Sequence, residues 1–195
     1  MTPKQIARLQ KKISDIKWTL ADEKRKYGCY DDSRGIRYVP PRYFIQLGDY
    51  SGGLKYLNWF AKNFPDDSGF PDFLFEWTII LYKTGKLREA EKKAFKTFCA
   101  NTYLFDKFYG KPIKPIIKWE GSNLEEPSFA EHLQHNCNQH ELKDFSEWLN
   151  KVVTSDKFIT SSKKIIEINK RLKKEEDRET RHYLIMHSRQ LLDSF

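Results

Sequence analysis

The sequence predicts an all-α protein, an array of antiparallel helical hairpins capped by N-terminal and C-terminal helices. Two similar segments 37 residues apart carry that expectation, one from Gly48 and one from Gly85. Each has a Gly where a helix must stop, a large apolar residue two positions on (Tyr50, Leu87) and a small residue three further (Gly53, Ala90). Elsewhere apolar residues recur at three and four residues, and no run alternates as a strand would. Such arrays usually hold a partner in a groove and rarely perform chemistry.

From the N-terminus, Thr2 can cap a helix and Pro3 can open it. Ile6, Leu9, Ile13, Ile16 and Leu20 form a narrow apolar seam over 3–26, expected to be buried against the same chain. A coiled-coil dimer seam is the alternative, although two heptads are fewer than the roughly three to four it needs. Residues 27–41 read as a loop, with turn formers at Gly28, Asp31-Asp32-Ser33 and Gly35 and with Pro40-Pro41 behind them. Pro41 opens a short helix to Leu47. Longer helices follow over about 51–63, 71–84 and 87–105. Gly110, Pro112 and Pro115 then impose an extended connector through Trp119. Helix resumes from Asn123, with Phe129 and Leu133 on one face and Leu142, Phe145, Trp148, Leu149 and Val152 on another. The stretch 162–192 is either one helix or two with a break near Asp177. The whole chain, 1–195, reads as one domain: a capping helix and loop (1–40), two hairpins (41–106), and connector plus C-terminal helices (107–195).

Gly48, Tyr50, Gly53, Leu57, Phe60 and Pro65, then Leu74, Trp77, Leu81, Gly85, Leu87 and Ala90, resemble two units of the tetratricopeptide repeat superfamily. The first set stands where that repeat has its inter-helix glycine, second helix and closing proline. The second set matches its first helix, turn and second helix. The likeness covers roughly 41–105 and implies a fold, with almost no information on function. The departures are a spacing of 37 against roughly 34, Gly53 and Thr78 at small-residue positions, a missing second closing proline, and a leading helix cut short by Pro40-Pro41. Two units are fewer than the about three a free-standing solenoid needs, so the flanking helices must complete the core.

Composition narrows the class further. Hydrophobic residues make up 39%, but 14 Phe, 10 Tyr and 5 Trp supply large side chains for a core. The net charge is +8, concentrated at the ends. Residues 1–30 carry 8 Lys/Arg against 3 Asp/Glu, 151–195 carry 11 against 7, and 31–150 carry 16 against 17. Basic ends can meet nucleic acid; interspersed acids also fit a solvated helix face. Three cysteines with no paired spacing imply no disulfide framework. With no apolar leader and no long apolar run, a cytoplasmic protein that makes no membrane contact is expected.

The densest chemical cluster is His132, His135, Cys137 and His140. All are good zinc ligands, but their spacing fits no standard finger or zincin, and histidines solvated near a polar turn are the preferred reading. Asp31-Asp32 and Asp66-Asp67 are paired carboxylates placed for turns or caps. Lysines interleave with aromatics over 107–111 and 114–119, which could stack unpaired bases or simply edge the core. No phosphate loop, dinucleotide fingerprint, nucleophile elbow or His-Glu-x-x-His occurs, so neither an enzyme nor a cofactor is expected. The preferred expectation is a non-enzymatic protein that binds a protein segment, or its own copy, through Tyr43, Tyr50, Trp59 and Tyr82. The alternatives are a nucleic-acid accessory protein using the basic terminal helices and a metal-dependent enzyme at His132–His140.

Overall fold

The computed structural model describes residues 1–30 and 34–195, and every regular element among them is helical. The Asp31-Asp32 pair therefore lies outside the described residues. Helix α1 (Pro3–Tyr27) opens on a full capping box, in which the Thr2 hydroxyl accepts from Gln5 N–H and the Gln5 side chain accepts from Thr2 N–H. After a 3-10 turn at Ile36–Tyr38 come α2 (Pro40–Leu47), α3 (Tyr50–Asn63), α4 (Pro71–Lys83) and α5 (Leu87–Ala100). The remainder is α6 (Leu104–Phe108), α7 (Pro127–Ala130), α8 (Lys143–Val153), α9 (Asp156–Lys174) and α10 (Arg178–Asp193).

The two punctuating glycines do what their positions require. Gly48 and Gly85 adopt φ of 69° and 75°, left-handed values that halt α2 and follow α4. Asp49 then caps α3 by accepting from Gly52 N–H at 2.8 Å. Helix α2 begins at Pro40, one residue before the expected start, because Pro40 and Pro41 both fit the first turn, where no N–H is needed.

The expected helix over 87–105 is two helices. Asn101 is extended and 1% exposed, and its side chain replaces the missing helical bonds. Its amide donates to the carbonyls of Leu124 and Glu126 at 2.8 and 3.0 Å, and its Oδ1 accepts from Tyr103 N–H at 2.9 Å. One buried amide thus ends α5 and anchors the segment that follows the connector. The helix expected from Asn123 is likewise reduced to single turns, and Glu131 to Gln139 is turn and irregular chain. The C-terminal stretch resolves as two helices, with Asp177 capping α10 by accepting from Thr180 N–H at 2.8 Å.

Helix α4 organises the core. Nine of its 13 residues are buried, and it packs against α2, α3, α5 and α8, most extensively against α5. A helix buried on most of its circumference, as α4 is, lies in the interior of the fold. The main cluster around it runs from Ile45 to Phe195 and includes Phe60, Phe73, Phe75, Phe95, Phe108 and Phe145, all 1% exposed or less. Each such side chain contributes about 1.5–3 kcal/mol of burial. Two satellite clusters join α1 to the rest (Ile13, Phe44, Tyr56) and α9 to α10 (Ile168, Leu172, Leu184). Of the N-terminal seam, Ile13 and Leu20 are buried, while Ile6, Leu9 and Ile16 are half-buried.

Small residues set the helix separations. A Cβ on Gly53 would lie 2.8 Å from Ile80 Cδ1 and 3.2 Å from Phe44 Cβ, so α2, α3 and α4 meet at this point. Ala90 and Ala94 are fully buried on α5. Gly53→Leu and Ala90→Trp should each overpack their contact and cost about 1–3 kcal/mol. The check is thermal or urea unfolding, and an unchanged midpoint would show that neither contact is tight.

Candidate functional site

The four aromatic residues singled out from the sequence fall into two places. Tyr43 and Trp59 pack beside α1, in the satellite cluster of Ile13, Phe44 and Tyr56. Tyr50 and Tyr82 lie beside α8, where Lys83 Nζ sits 5.6 Å from the Tyr50 ring and Tyr82 leans on Trp148 at 4.9 Å.

The first place is a groove of about 340 Å³ lined by Lys17 and Ala21 of α1, Lys55, Tyr56 and Trp59 of α3, and Tyr30. Helical spacing builds it. Tyr56 and Trp59 are three apart on α3, and Lys17 and Ala21 are four apart on α1, so each pair shares a face. Tyr30 meets Trp59 edge-on at 5.7 Å and is fixed by donating from its hydroxyl to Asn63 Oδ1 at 3.1 Å. Tyr56 donates from its hydroxyl to the Arg37 carbonyl at 2.7 Å, and burial pushes its pKa up. Three rings thus line the groove, and among the described residues both charged lining residues are lysines.

Lysines run along this side of the molecule. Lys12, Lys17 and Lys24 of α1 lie 5.1, 5.6 and 5.2 Å from the rings of Tyr43, Phe44 and Tyr30. Each contact is worth about 0.5–1 kcal/mol at an exposed position. Sequence reasoning missed Tyr30, Tyr56, Lys17 and Lys55. The seven-residue step from Lys17 to Lys24 was the available signal for a basic stripe on one face.

The second place is an open cleft of about 510 Å³ between the end of α4 and α8, lined among others by Tyr82, Lys83, Leu87, Asp144, Glu147 and Trp148. Tyr82 donates to the Asp144 carbonyl at 3.1 Å, and Lys83 pairs with the Asp144 carboxylate. Burial and the Asp144 charge raise the pKa of both Tyr50 and Tyr82. Acid and base are already matched to each other here, which leaves no excess of either sign.

The histidine cluster does not converge. His132 and His140 are exposed, whereas His135 is buried. The expectation that these histidines are solvated thus fails at His135. Its Nε2 lies 3.3 Å from Glu76 Oε1, and its ring stacks on Phe75 at 6.2 Å. Among the described residues no group of three or more His, Cys, Asp or Glu is placed to hold a metal ion. Glu76 itself is 1% exposed in α4, and Arg42 Nε donates to the same Oε1 at 2.9 Å. Asp67 forms the turn after α3, accepting from Gly69 N–H at 2.8 Å, and also an ion pair the sequence did not reveal. The Arg37 Nε and Tyr38 hydroxyl donate to its carboxylate at 2.9 and 2.7 Å. Burial first, and that carboxylate second, push the Tyr38 pKa up to about 12.

The aromatics of 107–119 are structural. Phe108 is fully buried, Tyr109 donates to the Ser146 carbonyl at 2.8 Å, and the Trp119 ring packs on the cluster of Ile168, Leu172 and Leu184 while its backbone N–H donates to the Asn169 carbonyl at 2.8 Å. Lys118 is 3% exposed. Among the described residues no helix is long and apolar enough to cross a membrane. Compared with protein-family models, curated proteins and solved structures, the chain matches none of them.

Helix α1 supplies one wall of the Trp59 groove and also covers Phe44 and Tyr56. Deleting residues 1–20 should uncover both rings, lower the unfolding temperature and raise binding of a hydrophobic dye. A truncated chain with the unfolding temperature of the full one would make α1 an independent arm.

Proposed function

We propose that the chain is a non-enzymatic, tetratricopeptide-like helical-repeat protein that holds a segment of another protein in the Trp59 groove. The glycine-punctuated α2–α3 and α4–α5 pairs, with Gly53 and Ala90 buried at helix contacts, support the repeat-like reading. The carrying observation is the groove itself, with three aromatic rings beside Lys17 and Lys55 and no acidic lining residue among the described residues. Rigid aromatic anchors in a partly enclosed pocket are where binding energy concentrates. The unmatched lysines favour a segment with carboxylates flanking an apolar side chain. Tyr43 extends the same surface along α1; Tyr50 and Tyr82 belong to the self-matched cleft and have a lesser role.

The test compares partner capture from native cells by the unaltered chain and by Trp59→Ala, then measures affinity for the captured partner. Trp59→Ala should cost about 2 kcal/mol or more, roughly thirtyfold in Kd. Lys17→Gln with Lys55→Gln should slow association and flatten its salt dependence. Undiminished capture by Trp59→Ala would remove the groove from consideration.

A second reading, nucleic-acid association, is favoured by one observation. Lys163, Lys164, Lys173 and Lys174 of α9 are all exposed, and none forms an ion pair among the described residues. Replacing the four by Gln should leave folding and protein capture intact if they are only solvated. If they contact phosphates, nucleic-acid binding should weaken and its log–log salt slope should fall by about one per lost contact. No binding of DNA or RNA by the unaltered chain at low salt would end this reading.

A further inference from the structure

Lys93 of α5 is set apart from the other lysines by what surrounds it. Its Nζ lies 3.6 Å from the centre of the Trp77 ring, the residue is half-buried, and no carboxylate among the described residues pairs with it. It lines two cavities, of about 380 and 140 Å³, which share Trp77, Lys93 and Lys96 and have no lining residue in common with the Trp59 groove. The acids that face this region are Glu89 of α5, Asp193 of α10 and Asp67 of the α3–α4 turn. Glu89 is engaged by Lys86 Nζ at 2.7 Å, and Asp67 by Arg37 and Tyr38. Asp193 stands at the rim of the larger cavity without pairing to Lys93. The cations are Lys92 and Lys96. Burial, and then repulsion from Lys96, push the Lys93 pKa down from 10.5 to about 8. At pH 7.5 roughly a quarter of such an amine is unprotonated, against roughly 0.1% of an ordinary lysine. A desolvated amine beside another cation is the environment that activates lysine as a nucleophile.

We propose that Lys93 is a carbonyl-reactive lysine, whose Nζ condenses with a small anionic aldehyde seated in the 380 Å³ cavity between α4, α5 and α10. The nitrogen lone pair adds to the carbonyl carbon, the carbonyl oxygen takes up a proton, and a water molecule then leaves. The product is an imine in which one C=N bond replaces the C=O bond. Amine and aldehyde give imine and water, with no change in oxidation state, and hydrolysis reverses the step. Lys92 and Lys96 flank the site and hold the anionic group. Once protonated, the imine keeps its positive charge over the Trp77 face, where the ring quadrupole favours it.

The probe is pyridoxal 5′-phosphate, an anionic aldehyde, added at limiting amount to the full chain at pH 7.5. Borohydride reduction fixes the imine, and peptide mass spectrometry locates it. Lys93 should carry about tenfold or more of the label found on an exposed lysine such as Lys163, and its labelling rate should rise through a midpoint near pH 8. Label spread evenly over exposed lysines, or a rate that climbs without inflection to pH 10, would overturn the proposal. Pyridoxal, which lacks the phosphate, should label Lys93 several-fold less; equal labelling would overturn the anionic part. Lys93→Met removes the amine while keeping an apolar stem. The unfolded chain binds the Lys93 proton more tightly than the folded one, so this group's contribution to stability rises with pH between about 8 and 10.5. Lys93→Met should therefore fold, be at least as stable at pH 7, and lose the selective label.

Discussion

Burial of α4 on every side is the constraint from which the rest of the structure follows. No single partner can bury a helix on all its sides, so α2, α3, α5 and α8 each take one face of it. That requirement explains why α2 and α3 close in through Gly53, where a methyl group would already meet Ile80. It also fixes the place of Glu76, the one carboxylate carried into the middle of that helix. Its charge is met by Arg42 from α2, and His135 Nε2 from the irregular chain before α8 lies 3.3 Å from the same oxygen. An uncompensated buried charge would cost several kcal/mol, so α2 is tied to α4 electrostatically as well as by packing. Glu76 Oε2 remains buried without a partner, which leaves this network less than fully satisfied.

What was legible in the sequence was local. Gly48 and Gly85, and the Thr2 cap with Pro3 behind it, act within a few residues of themselves, and the helices they bound lie close to where those signals place them. What was hidden depends on pairs far apart in the chain. Arg37 and Asp67 are 30 residues apart, His135 and Glu76 are 59, and no periodicity links them. Asn101 is the sharpest case. Helical spacing continues across it through Leu104, yet the side chain's bonds to Leu124, Glu126 and Tyr103 outweigh the few helical bonds that continuing α5 would have added.

The candidate aromatic residues show the same limit from another side. Tyr43, Tyr50, Trp59 and Tyr82 are recognisable as large rings on amphipathic helices, but the sequence does not say which neighbours will neutralise the charges around them. Around Tyr82 the neighbours do so, since Lys83 and Asp144 satisfy each other. Around Trp59 they do not, since α1 and α3 bring Lys17 and Lys55 together with no acid lining the groove among the described residues. Two sites of similar aromatic content thus differ in what they could attract, and the difference comes from which helix covers each.

The same reasoning separates the two basic ends of the chain. On α1, Lys12, Lys17 and Lys24 spend part of their charge on the rings of Tyr43, Phe44 and Tyr30, and their aliphatic stems help cover apolar surface. Those lysines contribute to holding α1 in place, so their effect on a partner and their effect on the fold are coupled. On α9 the four exposed lysines carry no such contact, while Ile165, Ile168 and Leu172 bury the opposite side of the helix. Their charge is held in place by packing that does not depend on it. A positive surface of that kind can vary freely without disturbing the core, whereas Lys12, Lys17 and Lys24 cannot.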